Sequence, residues 1–199
     1  MTKKEEWLAG TRSAVPIMLG YVPVGIAYGV MARQAGLNTW QTVLMSLTVY
    51  GGASEMMAAG MVAQGAAVLT IVLTTFILNL RHIIMSTCVF NQMQGGRLPV
   101  RMLAAFGVTD ETFAVYTTTA NAPRTPRYFF SMALCSYLSW ALGSWLGAIA
   151  TGLLPPLITA ALGISLYAMF IGLLMPGLHG NGRLAALVVL TALCNTVLC

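Results

Sequence analysis

The chain has 199 residues, of which 58% are hydrophobic and only 8% are charged, and its formal net charge is +5. A soluble domain carries about 25% charged residues, so this composition excludes a globular protein with a polar surface and predicts an all-α, polytopic integral membrane protein. The basic residues are scattered, which argues against a nucleic-acid partner. The cysteines form no CxxC pair and are expected to be buried thiols, so neither a metal site nor a cofactor is predicted.

Apolar segments recur along the chain, and each is close to the length of about 20 residues that a helix needs to cross a bilayer. Together with an ambiguous segment at 101–120, they predict about six to seven transmembrane helices. The candidates are 14–32, 40–62, 68–90, 128–151, 156–175 and 184–199. The connecting loops are short and leave no room for a soluble part, so one transmembrane domain, 1–199, is expected.

The first segment is rich in residues that disturb a helix. Pro16 and Pro23 each remove a backbone donor, and proline inside a helix kinks or breaks it. Gly25 and Gly29 form a GxxxG motif, which lets a second helix approach closely. The sequence therefore predicts a kinked, broken first helix with a packing partner at its glycines.

A second GxxxG motif, at Gly143 and Gly147, suggests an internal repeat. Each motif is followed by a short turn and then by another apolar segment. Inverted repeats that contain broken helices are common among transporters. We therefore predict two repeats, 14–90 and 130–199, with a chance match in a glycine-rich membrane protein as the alternative.

The second segment contains the stretch "GGASEMM" at membrane depth. Gly51 and Gly52 weaken the helix there, and a discontinuous helix exposes N–H and C=O groups that bind the charged ends of a small zwitterion. Ser54 and Glu55 follow directly, and an ionisable group inside a bilayer usually faces a cavity or a partner. We predict that these four residues bind a substrate; the alternative for Glu55 is a protonated carboxyl held by hydrogen bonds within the bundle.

The third segment carries a polar stripe. Thr75, Asn79, His82 and Ser86 recur at spacings of four, three and four, which places them on one face of a helix. Such a stripe is typical of a cavity lining, although hydrogen bonds between helices would give the same pattern. An ordinary histidine titrates near neutral pH, so His82 is a candidate proton relay or, alternatively, a structural donor.

The segment 101–120 has Asp110 and Glu111 at its middle, so it either spans the membrane or enters and leaves from the same side. Thr109 or Asp110 would serve well as the N-cap of a helix that begins there. Arg81 lies off the polar stripe of the third segment, and Asp110 and Glu111 are the nearest carboxylates that can pair with it. Both acidic residues are predicted to line the cavity or to couple transport.

Several motifs together resemble those of the AzlC-like proteins, the large subunits of branched-chain amino acid exporters. They are "GGASE", "TTFILNLRHIIMS" and "GVTDETFAV", and the most specific parts are "NLRH" (79–82) and "TDETFA" (109–114). The resemblance covers residues 14 to about 190. It implies a multi-pass exporter of the bacterial inner membrane that is driven by the proton gradient and works with a small multi-helix membrane subunit. The family usually has Gln where this chain has Glu55, which adds a titratable group.

The polar residues suit the small apolar amino acids that this resemblance implies as substrates. N–H groups at Gly51 and Gly52 are expected to hold the carboxylate, and Glu55 the ammonium group, while the Asn79 amide serves either end. Apolar residues around these positions would accept the side chain with little discrimination between related shapes.

Two other classes remain open. A non-transporting assembly or regulatory subunit is favoured by the small size and the short C-terminal part. An intramembrane serine protease would use Ser54 and a histidine on another helix, but Glu55 follows the serine where a small residue is expected. No GxxxxGK[ST] motif exists, which argues against an ATP-driven pump. We therefore predict a secondary transporter and no enzyme.

Overall fold

The computed structural model describes residues 2–120, 122–153, 155, 157–158, 161, 164, 171, 175 and 182–198. These residues form helices and loops without a strand, as the all-α prediction requires. The chain divides into two compact units, Met1–Ser165 and Leu166–Cys199. The helices of the first unit are α1 (Lys3–Gln34), α2 (Thr39–Thr48), α3 (Gly52–Ala63), α4 (Val68–Asn79), α5 (Arg81–Gln92), α6 (Leu98–Phe106), α7 (Asp110–Thr118) and α8 (Pro126–Ala150). The second unit contains α9 (Gly182–Leu198).

Three helices of the described residues are long and apolar enough to cross a membrane. They are Lys3–Gln34, Val68–Gln92, which joins α4 and α5, and Pro126–Ala150. The last two agree closely with the predicted segments 68–90 and 128–151. Most of the candidate 156–175 lies outside the described residues, so the count of six to seven spans, the single domain and the repeats remain predictions.

The first helix is longer and more regular than the sequence predicts. It begins at Lys3 because the Thr2 side chain accepts the Glu5 N–H and the Glu5 carboxylate accepts the Thr2 N–H, a capping box that satisfies two free donors. It continues without interruption through Pro16 and Pro23. The prediction of a broken first helix is therefore wrong, and membrane helices tolerate proline where neighbouring groups compensate for the missing hydrogen bond.

The two GxxxG motifs pack against each other and bring α1 and α8 into backbone contact. A Cβ atom added to Gly29 would lie 2.3 Å from the Ser144 carbonyl oxygen, and one added to Gly147 would lie 2.1 Å from the Ile26 carbonyl oxygen. Glycine is therefore required on both sides of the crossing. This helix pair is the frame on which the remaining helices of the first unit are arranged.

Three of the remaining segments are interrupted near their middle. The first break, 49–51, separates α2 from α3, and the third, 107–109, separates α6 from α7. The second, at Leu80, is a one-residue turn between α4 and α5 at which φ −56° and ψ −29° stay helical, so Val68–Gln92 still runs as one apolar helix. The first break confirms the interruption predicted at the two glycines. The third shows that 101–120 is not one straight helix, because α7 starts anew with Thr109 as its N-cap, as the sequence suggests.

Candidate binding site at the helix breaks

The first break depends on an unusual backbone. Tyr50 has φ +47°, a left-handed conformation that is a genuine outlier for a bulky side chain. The next two positions are glycines, and each is too crowded for a side chain. A Cβ on Gly51 would lie 2.6 Å from Ser54 Oγ, and a Cβ on Gly52 would lie 2.8 Å from the Trp140 ring. A left-handed residue other than glycine costs about 1–3 kcal/mol and occurs mainly at functional sites.

Glu55 holds this break together. Its side chain is fully buried, and its Oε1 accepts the Gly51 N–H at 2.9 Å. Its Oε2 lies 2.9 Å from Ser46 Oγ, and Trp140 Nε1 lies 3.2 Å from both carboxylate oxygens. The predicted contacts of Glu55 with an ammonium group and of the Gly51 N–H with a carboxylate would require this network to open.

The hydroxyl groups next to Glu55 accommodate either of its protonation states. Ser46 Oγ also lies 2.8 Å from Ser144 Oγ, which lies 2.9 Å from the Trp140 carbonyl oxygen. Each hydroxyl has one proton to donate. A protonated Glu55 donates to Ser46, Ser46 to Ser144, and Ser144 to the carbonyl; an ionised Glu55 accepts from Ser46, which accepts from Ser144. Rotation of two hydroxyl groups therefore follows the gain or loss of one proton.

The polar stripe of α4 and α5 meets the first break. A Cβ on Gly51 would lie 3.4 Å from Asn79 Oδ1 and 3.7 Å from His82 Cε1. Thr75 Oγ1 and Asn79 Oδ1 are buried and make no hydrogen bond among the described residues. A buried polar atom without a partner is uncommon in a folded protein and calls for an explanation.

The opposite faces of these helices confirm which way the stripe points. Ile77 and Ile84 are 64% and 76% exposed, as expected for side chains that face lipid. Ser86, at the end of the stripe, lies 3.4 Å from the Ala105 carbonyl oxygen of α6. The stripe therefore faces the protein, and its role as a cavity lining stays a prediction.

A second buried glutamate lies just after the third break, in the first turn of α7. Thr109 caps α7 by accepting the Thr112 N–H, and Glu111 is only 6% exposed. The Tyr21 hydroxyl donates to Glu111 Oε2 at 2.5 Å and lies 2.7 Å from Thr109 Oγ1. A side chain of α1 therefore fixes the start of α7, an arrangement that sequence reasoning missed.

Three contacts bring the three breaks to one place. Arg81 Nη2, beside the second break, lies 3.0 Å from Asp110 Oδ2 beside the third, which confirms that Arg81 pairs with one of the two acidic residues. The centroid of the Tyr50 ring lies 6.5 Å from that of the Tyr21 ring and 6.4 Å from that of the Phe106 ring. Tyr50 is 3% exposed, and its hydroxyl makes no hydrogen bond within the described part of the chain.

The structure thus gathers most of the predicted site residues and adds others. Those brought together are Gly51, Gly52, Ser54, Glu55, Asn79, Arg81, His82, Asp110 and Glu111, with Thr75 about one turn away. The residues missed from sequence are Tyr21, Ser46, Tyr50, Trp140 and Ser144. The one signal for any of them is that Tyr50 directly precedes the two glycines. Which of these residues contact a substrate is still a prediction.

The geometry does not favour the protease hypothesis. The Ser54 hydroxyl is fully buried and donates to the Gly51 carbonyl oxygen at 2.8 Å rather than to a base. A serine nucleophile needs a base within hydrogen-bond reach, and His82 forms no such bond in the described structure. Among the same residues, no three His, Cys, Asp or Glu side chains are grouped to hold a metal ion.

The structure is that of an α-helical membrane protein whose interrupted helices meet at buried polar atoms. Irregular backbone at membrane depth occurs where it is buried in protein or lines a cavity. This arrangement is typical of transporters. The sequence profile of the family described as AzlC protein matches residues 16–154. The chain belongs to the AzlC family and is a multi-pass membrane protein.

Individual relatives support the same assignment. The chain is 33% identical over 188 residues to an uncharacterized membrane protein of Archaeoglobus fulgidus, covering 94% of this chain and 82% of the relative. It is 30% identical over 179 residues to the inner membrane protein YgaZ of Escherichia coli (85% and 72%). It is 27% identical over 157 residues to the branched-chain amino acid transport protein AzlC of Bacillus subtilis (75% and 61%). No solved structure matches the chain.

Proposed function

We propose that this protein is a secondary transporter that exports branched-chain or similar small apolar amino acids across the cell membrane. The substrate class is supported by the name of the Bacillus subtilis relative, a branched-chain amino acid transport protein. The observation that carries the proposal is the meeting of three helix breaks around buried polar atoms without partners. Export, proton coupling and a small membrane subunit complete the proposal and follow the resemblance of the motifs.

The unpartnered atoms suit an amino acid zwitterion. In the described residues around the breaks they are Tyr50 OH, Thr75 Oγ1, Asn79 Oδ1 and Arg81 Nε. Asn79 Oδ1 only accepts hydrogen bonds and suits an ammonium group, Arg81 Nε only donates and suits a carboxylate, and the hydroxyl groups serve either end. Each unsatisfied buried group costs the protein about 1–3 kcal/mol. A ligand that forms hydrogen bonds with several of these groups removes that cost, and the free energy recovered adds to its binding.

Glu55 is the residue to which we assign proton coupling. An ionised carboxylate makes stronger, charge-assisted hydrogen bonds than a neutral carboxyl group. Protonation therefore weakens the attachment of the Gly51 N–H to Glu55 and loosens the break at which the substrate binds. By linkage, substrate that opens the break changes the proton affinity of Glu55 by the same factor.

The groups around Glu55 make it the principal titrating group of its network. Among the described residues, the titratable side chains close enough to interact with it are the phenols of Tyr28, Tyr50 and Tyr137, which lie on α1, at the first break and on α8. Phenols are neutral at physiological pH. His82, beside Gly51, is the second candidate for coupling.

Efflux from loaded cells tests the proposal. Cells are loaded with radiolabelled leucine, valine, methionine or glutamate. Efflux is compared between cells that express this chain alone, the small subunit alone, both, or neither. We expect leucine, valine and methionine efflux that requires the chain and rises with the subunit. Glutamate efflux with leucine unaffected would contradict the substrate class, and efflux by the subunit without this chain would favour a regulatory role.

A further inference from the structure

A cavity of about 260 Å³, open on one side, lies between α6 and α8. Two of its lining residues, Leu103 and Phe106, are 59% and 55% exposed. Its walls are almost wholly apolar and aromatic, and they include Leu103, Phe106, Phe130, Ala133, Leu134 and Tyr137. Sites that enclose a whole drug-sized ligand are typically about 300–1,000 Å³. This cavity is therefore of a size that suits the apolar part of a small molecule.

The cavity shares its walls with two of the helix breaks. The ring centroid of Tyr50, in the first break, lies 4.9 Å from that of Tyr137 and 6.4 Å from that of Phe106. Gly107, in the third break, also lines the cavity. The Tyr137 hydroxyl donates to the Leu47 carbonyl oxygen at 2.7 Å, near the end of α2. An apolar space therefore begins one aromatic ring away from the unpartnered polar atoms.

Tyr50 borders both of these environments. It has a strained left-handed backbone, its side chain is almost fully buried, and its hydroxyl makes no hydrogen bond among the residues described. Strain and an unsatisfied polar group at one residue persist when the surrounding structure enforces them, and they cluster at ligand clamps and switch regions. The phenol therefore offers a polar end toward the breaks and an apolar ring toward the cavity.

We infer that this cavity is the side-chain subsite of the transporter: it receives the apolar side chain of the amino acid, while the ammonium and carboxylate groups lie at the breaks and the Tyr50 ring borders both regions. The inference rests on the proposed function. An α-amino acid has its two charged groups and its side chain on one carbon atom, so its polar and apolar binding regions must adjoin, as these do. Because the walls are hydrocarbon and aromatic, selection there depends on the size of the side chain.

Leu134, in the cavity wall, allows the size of the subsite to be changed in both directions. Leu134→Phe reduces the volume and Leu134→Ala enlarges it. Leu138 lies one turn further along α8, is 56% exposed and does not line the cavity, so Leu138→Phe and Leu138→Ala are matched controls. Efflux of valine, leucine and phenylalanine is measured for each variant expressed with the small subunit, and membrane levels are compared by immunoblotting.

We expect Leu134→Phe to lower leucine efflux relative to valine efflux, and Leu134→Ala to raise phenylalanine efflux relative to leucine efflux. Each ratio should change by roughly tenfold, the lower end of the discrimination that one methylene gives in an apolar pocket. The Leu138 variants should keep the unmodified preference. The subsite is not at this cavity if all variants keep the same substrate preference. The same conclusion follows if efflux of every substrate falls equally, as expected for a cavity filled by a lipid acyl chain. Either result overturns this inference and leaves the proposed function standing. Absence of amino acid efflux by the unmodified protein overturns the proposed function as well.

Discussion

The most informative single change is Glu55→Gln, because the buried network defines what the amide can do. Its carbonyl oxygen accepts the Gly51 N–H as Oε1 does now at 2.9 Å. Its NH₂ group donates to Ser46, which then donates to Ser144, and this is the arrangement that a protonated Glu55 adopts. The variant is therefore locked in a close imitation of the protonated state.

The energetic cost of this change should be small. Hydrogen bonds to a charged group contribute about 1.5–3 kcal/mol and neutral ones about 0.5–1.5 kcal/mol. The variant therefore loses about 1 kcal/mol for each of the three groups that bond Glu55 relative to its ionised form, offset by the lower cost of burying a neutral amide, and almost nothing relative to the protonated form. Glu55→Ala is the contrast, because it leaves the Gly51 N–H and the Trp140 Nε1–H without acceptors. Two unsatisfied buried donors cost about 1–3 kcal/mol each, and the level of the protein in the membrane should fall.

The assay is leucine efflux as a function of external pH. If protonation of Glu55 loosens the first break, Glu55→Gln should insert normally and lose the pH dependence of transport. Across the tested range it should behave as the unmodified protein does on the acidic side, where Glu55 carries its proton. A Gln variant with normal membrane levels and an unchanged pH profile would refute the coupling role of Glu55 and leave His82 as the candidate.

Three further changes test separate parts of the structure. With the native cysteines replaced, cysteine at Asn79 should react with a water-soluble thiol reagent and cysteine at the lipid-facing Ile84 should react slowly; equal rates would argue against a polar cavity. Gly147→Ala forces a Cβ against the α1 backbone and should lower the free energy of unfolding in detergent by about 1–3 kcal/mol. Gly60→Ala, inside α3, meets no atom within 4 Å and should leave the free energy of unfolding unchanged or raise it by up to about 1 kcal/mol. Tyr50→Phe removes an unpartnered hydroxyl, so stability should be kept or raised while leucine efflux falls; normal efflux would mean that this hydroxyl does not contact the substrate.

Local sequence signals predicted the features that depend on neighbours in the chain. Adjacent glycines predicted the first break, the spacing of Asn79 and His82 predicted the face that meets it, and Thr109 is one of the two N-caps predicted for α7, the other being Asp110. The same reasoning failed for α1, where a capping box at Thr2 extends the helix and neighbouring groups tolerate its prolines. Proline in a membrane helix is therefore a weaker break signal than paired glycines.

The residues that sequence reasoning missed belong to contacts between distant helices. Ser46 and Ser144 are 98 residues apart, and Tyr21 and Glu111 are 90 residues apart. Serine and tyrosine are common enough in membrane helices that neither stands out by composition. The roles of these residues depend on the crossing of α1 and α8. The crossing places Trp140 within hydrogen-bond distance of Glu55 and packs Tyr21 against Trp140, next to the start of α7.

The central claim is that the meeting point of the three breaks binds a small apolar amino acid, and protection of one engineered cysteine tests it most directly. Thr75→Cys is made in the chain without native cysteines, and its labelling by a water-soluble thiol reagent is timed with no ligand, with leucine and with glutamate. Leucine should slow the labelling several-fold, and glutamate should leave it unchanged. If the cells export leucine while leucine leaves the labelling rate unaffected, the substrate binds elsewhere and the breaks are not the site.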